Sequence, residues 1–486
     1  MTTVIPASNG VPTQGTAEPR PQSTSSTEPA GRRPHTRWAY VLAGGFFVLF
    51  MAVSLRRHNR LLSLGYDLGI FEQVIQSYAH GHLPVSEVKG PDFPVLGDHF
   101  SPVLALIAPL YRLWSSPQCL LVVQAALIAA SIAPLALWAR RKLGRAAGWV
   151  IAVVYGASWG IASGVGFDFH EVAFAVPLLA MSLTLLAQDR LRAAAWWALP
   201  LLLVKEDLGF TTAVIGLLIT WRGERRFGLW IAVTGIVGSL LEMLVILPAF
   251  SPYSSFTYFG YLESSPDVGV GFGDVLYRFT VGLITPADKA LTLVLLLAPT
   301  LFLALRSPLL WIAVPTLGWR FLSSNASHWG TGYHYSLILM PIVFVAFIDA
   351  LARRNSSPAS LRRHLAGSGA VCLLLLPQFP LWQLSQPVTW RNDSRVAAAH
   401  QVLGQIPDGD TVQAANELVP QLAGRTSVSV YGYTNSRPAP EWIVLDTGYA
   451  VWPLNLEQTR SAIADEQRRG YRLLDQQRGF VLLHRG

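Results

Sequence analysis

Five short blocks of this sequence gather residue types that could do chemistry, and each lies beside a long apolar run. GYDLGIFEQ at 65–73 carries Asp67 and Glu72, about 1.5 helical turns apart if helical. GDHFSP at 97–102 carries Asp98 and His99, and GFDFHE at 166–171 carries Asp168, His170 and Glu171. VKEDLG at 204–209 carries Lys205, Glu206 and Asp207, and GYHY at 332–335 carries His334. Ionisable groups beside lipid-length apolar runs are costly, so several in one place need a reason. Carboxylates and imidazoles brought together can hold a divalent metal or act as base and acid. A lysine beside them can bind a phosphate oxygen as a point charge.

Each block also has a purely structural reading. Asp67 can cap a helix starting at Leu68, and Asp98 with His99 can cap the one after Pro102. Asp168 and Glu171 can be solvated loop charges. Lys205, Glu206 and Asp207 can neutralise one another in a turn, and His334 can be a polar helix end. None of these explains why all five blocks fall on one side of the membrane in the topology derived below. Neither a P-loop nor a zinc-finger spacing occurs, so no motif names the reaction.

The elements that position these blocks follow from composition. The chain is 51% hydrophobic and 14% charged, against about 25% charged for soluble proteins. Lipid must cover part of that apolar surface. The net charge of +8 sits in short arginine clusters between apolar runs, which speaks for membrane topology and not for nucleic acid. Cys119 and Cys372 both lie inside apolar segments, so a disulfide framework is not expected and a cysteine metal site is excluded. Residues 1–36 are rich in Ser, Thr, Pro and Gly and should form a disordered tail, too polar for a signal peptide.

The first apolar run is Trp38 to Leu55. Ten more follow at about 118–138, 146–164, 172–188, 191–204, 208–221, 228–249, 287–305, 307–322, 334–351 and 366–384. Alternate connections are basic, for example Arg140, Arg141, Lys142 and Arg145, then Arg222, Arg225 and Arg226. Placing those in the cytoplasm puts the N-terminus inside and the C-terminus outside. Arg56, Arg57 and Arg60 oppose this assignment. Residues 101–114 are too short to span and should lie on the outer interface. Long outer loops cover about 56–117 and 250–286. Beyond 385 the composition is that of a soluble domain, with strands expected at 428–433, 441–446 and 479–484 and helices at 394–404 and 456–469. The expected fold is an all-α polytopic plasma-membrane protein of about eleven spans, with a disordered cytoplasmic tail (1–36), a membrane domain (37–384) and a small extracytoplasmic α/β domain (385–486).

YDLGIFEQ, GDHFSP, FDFHEVAFAVP, VKEDLG and the later HY, in that order, resemble the bacterial membrane-protein family catalogued as domain of unknown function 2079. The resemblance covers roughly residues 60–350, and the C-terminal domain is similar to that family's usual ending. The layout also resembles the GT-C superfamily of membrane glycosyltransferases. There the first outer loop begins with an acidic residue after helix 1, and a second acidic motif follows helix 3. The donor is a polyprenyl-phosphate sugar, and some members need a divalent metal. The resemblance implies Asp67 in the first acidic position as general base. It implies Asp168, with Glu171 near it, in the second; Asp168 and Glu171, together with His170, are read as metal holders or site organisers. Lys205 resembles a lysine near the donor phosphate. Glu72, Asp98, His99 and Glu206 complete the candidate catalytic set, with no matching family position for His99, His170 or Glu206.

Two other classes stay open. A transporter or lipid flippase places ionisable residues near the bilayer midplane, and Glu242 in LLEMLV is the clear mid-run charge here. A membrane scaffold displaying the C-terminal domain would not need the loop acids.

Overall fold

The computed structural model describes residues 36–262, 276–354 and 357–486. The expected tail lies outside them except for Thr36, as does part of the second long loop. Among the described residues four helices are long and apolar enough to cross a membrane: Arg37–Asn59, Pro117–Leu143, Arg225–Phe250 and His334–Arg353. A bent pair, Arg145–Gly156 and Trp159–Gly166, makes a fifth if counted as one span. The runs expected at 172–188, 191–204 and 208–221 become shorter apolar helices, Glu171–Leu186, Leu191–Leu203 and Leu208–Trp221. The run at 287–305 is broken, because Leu301 and Phe302 adopt left-handed backbone angles after Pro299. The runs at 307–322 and 366–384 are likewise interrupted near prolines, with tight three-residue turns replacing the regular helix. Eleven full-length spans are therefore not seen as such.

Small residues let two of these helices touch. A Cβ on Gly209 would lie 2.4 Å from the Gly235 carbonyl oxygen, so Leu208–Trp221 and Arg225–Leu241 meet backbone to backbone. This contact fixes the turn at 204–207, which carries Lys205, Glu206 and Asp207. The segment at 101–114 is a short broken helix with Leu106 and Leu113 exposed.

The C-terminal part folds as predicted, with two strands more. Helices occupy Ser394–Leu403 and Leu456–Arg468. The sheet comprises β1 (Thr411–Ala414), β2 (Ser427–Val430), β3 (Trp442–Asp446), β4 (Tyr471–Gln477) and β5 (Phe480–Arg485), in the order β2-β1-β3-β5-β4. β1 pairs in parallel with β2 and β3, while β5 runs antiparallel between β3 and β4. β1 and β4 escaped the sequence reading: TVQA is short, and YRLLDQQ is largely polar and exposed.

This sheet is not an appendage. Leu68, Phe71, Val74 and Ile75 share one apolar core with Leu418, Val419, Leu422 and Val430. The expected boundary at 385 is thus bridged by the first long loop. The three awkward arginines are engaged in the same junction. Arg56 donates to the Thr389 carbonyl, Arg57 to Gln383 at 3.1 Å, and Arg60 to the Val388 carbonyl.

Candidate active site

The segment Leu64–Asp67 is held from three sides. The Leu64 amide donates to Asp168 Oδ2 at 2.7 Å. The Gly65 amide donates to the Asn416 carbonyl at 2.8 Å, and the Tyr66 amide to Asn416 Oδ1 at 3.0 Å. Only glycine fits at 65, because a Cβ there would lie 2.5 Å from the Val419 Cβ. So clamped, Asp67 sits at φ 155°, ψ −79°, a conformation that costs a non-glycine residue about 1–3 kcal/mol and persists only where the surroundings impose it.

Its carboxylate is thereby turned into a cavity of roughly 450 Å³. His170 Nε2 lies 3.2 Å from Asp67 Oδ1, and the His170 ring stacks on His334 with centroids 3.5 Å apart. The following helix, Ile70–Ala79, starts at Gly69 without any side-chain cap, so Asp67 is not a capping residue. Nor is Asp98, which pairs with Lys89 at 3.0 Å.

Three charged pairs line the same cavity. Lys205 Nζ donates to Glu171 Oε1 at 2.8 Å. His99 Nδ1 lies 2.8 Å from Glu206 Oε1, whose other oxygen accepts from the Phe100 amide at 3.2 Å. Lys89 and Asp98 form the third. Asp207 Oδ2 accepts from Trp319 Nε1 at 2.9 Å. Burial alone would neutralise these groups. It opposes the Lys205 charge, yet Glu171, Glu206 and Asp207 hold the ammonium well above the ordinary lysine range. Burial and Lys205 oppose the His99 charge, but Glu206 and Asp98 raise it above the usual histidine value. Glu206 is lowered in return, burial being outweighed by His99 and Lys205. Burial lifts Asp207 to about 6 despite Lys205.

The blocks thus meet as expected for Asp67, Asp98, His99, His170, Glu171, Lys205, Glu206 and His334, all of which line the cavity. Glu72 and Asp168 do not. Glu72 is fully buried, its carboxylate accepting from Tyr111 at 3.0 Å, and burial raises it to about 8. It points away because residues 70–79 form a helix whose opposite face carries it into the shared core. Asp168 turns back to hold Leu64, and burial raises it to about 6. Asp168, His170 and Glu171 are read from the sequence as holders of a divalent ion or as organisers of the site. Asp168 is spent on a backbone amide and Glu171 on Lys205, and among the described residues no three His, Cys, Asp or Glu side chains form a ligand set. These residues do not fit a metal as placed.

Lys89, Asn416, Tyr258 and Trp319 went unnoticed in the sequence. Lys89 had a signal: the chain has 37 Lys and Arg, of which few are lysine, and both Lys89 and Lys205 line this cavity. A lysine in an arginine-rich chain marks a need for a compact point charge.

Residues 57–482 match the family described as Predicted membrane protein (DUF2079). The chain belongs to that family. No curated protein matches it in sequence. Among solved structures, ArnT from Cupriavidus metallidurans bound to undecaprenyl phosphate aligns with a TM-score of 0.52 at 14% identity, over 93% of this chain and 98% of that one. The apo state of the same protein aligns with a TM-score of 0.47 at 14% identity, over 91% and 98%. This DUF2079 chain is thus a predicted membrane protein whose fold resembles that of ArnT.

Proposed function

We propose that this protein is a GT-C-like glycosyltransferase, moving a sugar from a polyprenyl-phosphate carrier to an acceptor hydroxyl. The carrying observation is Asp67, forced by its clamps into a cavity that also presents two lysines. The likeness to ArnT, whose structure holds undecaprenyl phosphate, supports a lipid-phosphate donor.

The acceptor O–H would give its proton to Asp67 as its oxygen bonds to the anomeric carbon. The bond from that carbon to the phosphate oxygen breaks, and the lipid phosphate leaves with one more negative charge. Lys205 and Lys89, which line the same cavity, would offset that charge. Of the three N–H donors of Lys205, one goes to Glu171, leaving two for phosphate oxygens. His170, backed by His334, would orient the Asp67 carboxylate. We place this site on the outer face of the plasma membrane, with the N-terminus inside, and the shorter helices completing about eleven spans. A metal is not needed for any of these steps.

Membranes from cells expressing the protein should transfer radiolabelled sugar from a polyprenyl-phosphate donor, and deletion cells should accumulate lipid-linked sugar. A reporter after Arg225 should read cytoplasm and one at Gly486 the outside. An inside signal at Gly486 would overturn the sidedness. Normal lipid-linked sugar in deletion cells would count against the transfer.

A further inference from the structure

A second cavity of roughly 410 Å³ lies between the C-terminal end of Arg37–Asn59 and the C-terminal sheet. It is distinct from the one that holds Asp67. Its wall includes Arg57, Asp168, Arg395, Glu417, Asp446 and Tyr449. The arginines and Asp446 are already engaged: Arg395 pairs with Asp446, and Asp446 Oδ1 accepts from the Gly448 amide at 2.7 Å. Glu417 is different. It is only 6% exposed, and apart from the Asp446 carboxyl beside it no side chain hydrogen-bonds either of its carboxylate oxygens. A buried acceptor without a donor costs about 1–3 kcal/mol. Burial, reinforced by the adjoining Asp446, pushes the Glu417 carboxyl above the usual carboxylate range. One proton can bridge the two acids, and their remaining lone pairs, facing the cavity, still lack donors.

The rim supplies the complementary surface. Tyr449 is 65% exposed, unusual for a large aromatic side chain, and the Arg395 guanidinium lies 4.7 Å from its ring centroid. Three residues on, the Trp452 ring packs 5.1 Å from Tyr66, which lines the Asp67 cavity. One short segment therefore borders both cavities. Orphaned acceptors call for hydroxyl donors, engaged guanidiniums leave no net demand for an anion, and an exposed ring suits the C–H face of a pyranose.

We propose that this cavity is a binding site for a neutral saccharide, with Glu417 and Asp446 accepting from its hydroxyls and Tyr449 covering one ring face. Under the transferase reading this occupant is the acceptor glycan, but binding itself does not depend on that reading.

The test is saturation-transfer NMR on the full chain, in a detergent without a sugar headgroup, with cellotriose, maltotriose and chitotriose as probes. At least one probe should bind. Glu417→Met keeps the length but removes both acceptors, and should weaken binding about tenfold. Tyr449→Ala, at an exposed position that the fold does not need, should weaken it severalfold. Asp67→Asn should leave binding unchanged while stopping transfer, so the two proposals can fail separately. No signal from any of the three probes overturns the site, as does binding that both Glu417→Met and Tyr449→Ala leave unchanged. Calcium bound through Glu417 with no saccharide bound overturns it equally.

Discussion

His170 Nε2 stands 3.2 Å from Asp67 Oδ1, although 103 residues separate them in sequence. The imidazole is held in turn, its own amide donating to Gln124 Oε1 at 3.0 Å and its ring stacked on His334. Among the described residues His170 is the side-chain partner of the Asp67 carboxylate, and the stacking on His334 holds its ring in that place. The carboxylate also faces the cavity, where an acceptor would sit.

Asp67→Asn follows from this pair. Asparagine tolerates positive φ nearly as well as aspartate, and no cap is lost because Asp67 caps nothing. The variant should therefore fold and insert normally. As base, it should lose about a hundredfold or more in transfer rate. Sugar transfer in membranes, with expression checked, is the measurement. Near-normal transfer would remove Asp67 from the reaction and move weight to a transporter or scaffold.

Asp168 should behave as a positioning residue. Its bond to the Leu64 amide needs an acceptor, not a charge. Asp168→Asn keeps a carbonyl oxygen and should retain activity within a few-fold, whereas Asp168→Ala frees Leu64 and should lose about a hundredfold, the scale of a misplaced catalytic group. A metal ligand would show the opposite, with Asn nearly as damaging as Ala and loss on chelation. Parallel kinetics of the two variants, with and without a chelator, decide between them.

The sequence carried most of the site and less of the fold's joints. Lone charges beside apolar runs are conspicuous because lipid makes them expensive, so Asp67, His99, His170 and Lys205 stood out. Which way a side chain turns was not legible. Asp168, two residues from His170, faces another direction although residues two apart share a face of a regular strand, so the connection between them is not one and its turn could not be read from spacing. The clamp by Asn416 was invisible, since ANELVP carries no feature that sets it beside residue 65. Span lengths misled for a related reason: hydropathy registers apolar content, while the turn at Leu301 and Phe302 depends on backbone angles it does not see.

The His99–Glu206 pair predicts a pH dependence of stability. His99 is raised in the folded state from an ordinary 6.5, so its contribution is full below about pH 6.5 and is lost as pH rises through the folded value. Glu206 is lowered from an ordinary 4.5, so its contribution is full above about pH 4.5 and is lost as pH falls through its folded value. The pair stabilises most between those limits. Thermal melts of the detergent-solubilised protein should fall from pH 6 toward pH 9, and Glu206→Gln should flatten that part of the profile. An unchanged slope in the variant would show that His99 does not draw its charge from Glu206.

The contact between Gly65 and Val419 tests whether the C-terminal unit sets the reactive loop. Gly65→Ala adds a Cβ that would lie 2.5 Å from the Val419 Cβ. Overpacking of this kind costs roughly 1–3 kcal/mol, and here the yielding part is the loop that presents Asp67. Activity should fall more than the melting temperature does, since a displacement near 1 Å can cost about a hundredfold in rate. Val419→Ala cannot relieve the clash, because the Val419 Cβ is itself the obstructing atom. Val419→Gly removes it, so the double variant Gly65→Ala/Val419→Gly should recover activity relative to Gly65→Ala alone. Transfer rates and melting temperatures of the three variants give the cycle. If the double variant is no better than Gly65→Ala in rate, the loop is not governed by this contact and the C-terminal unit does not position Asp67 through it.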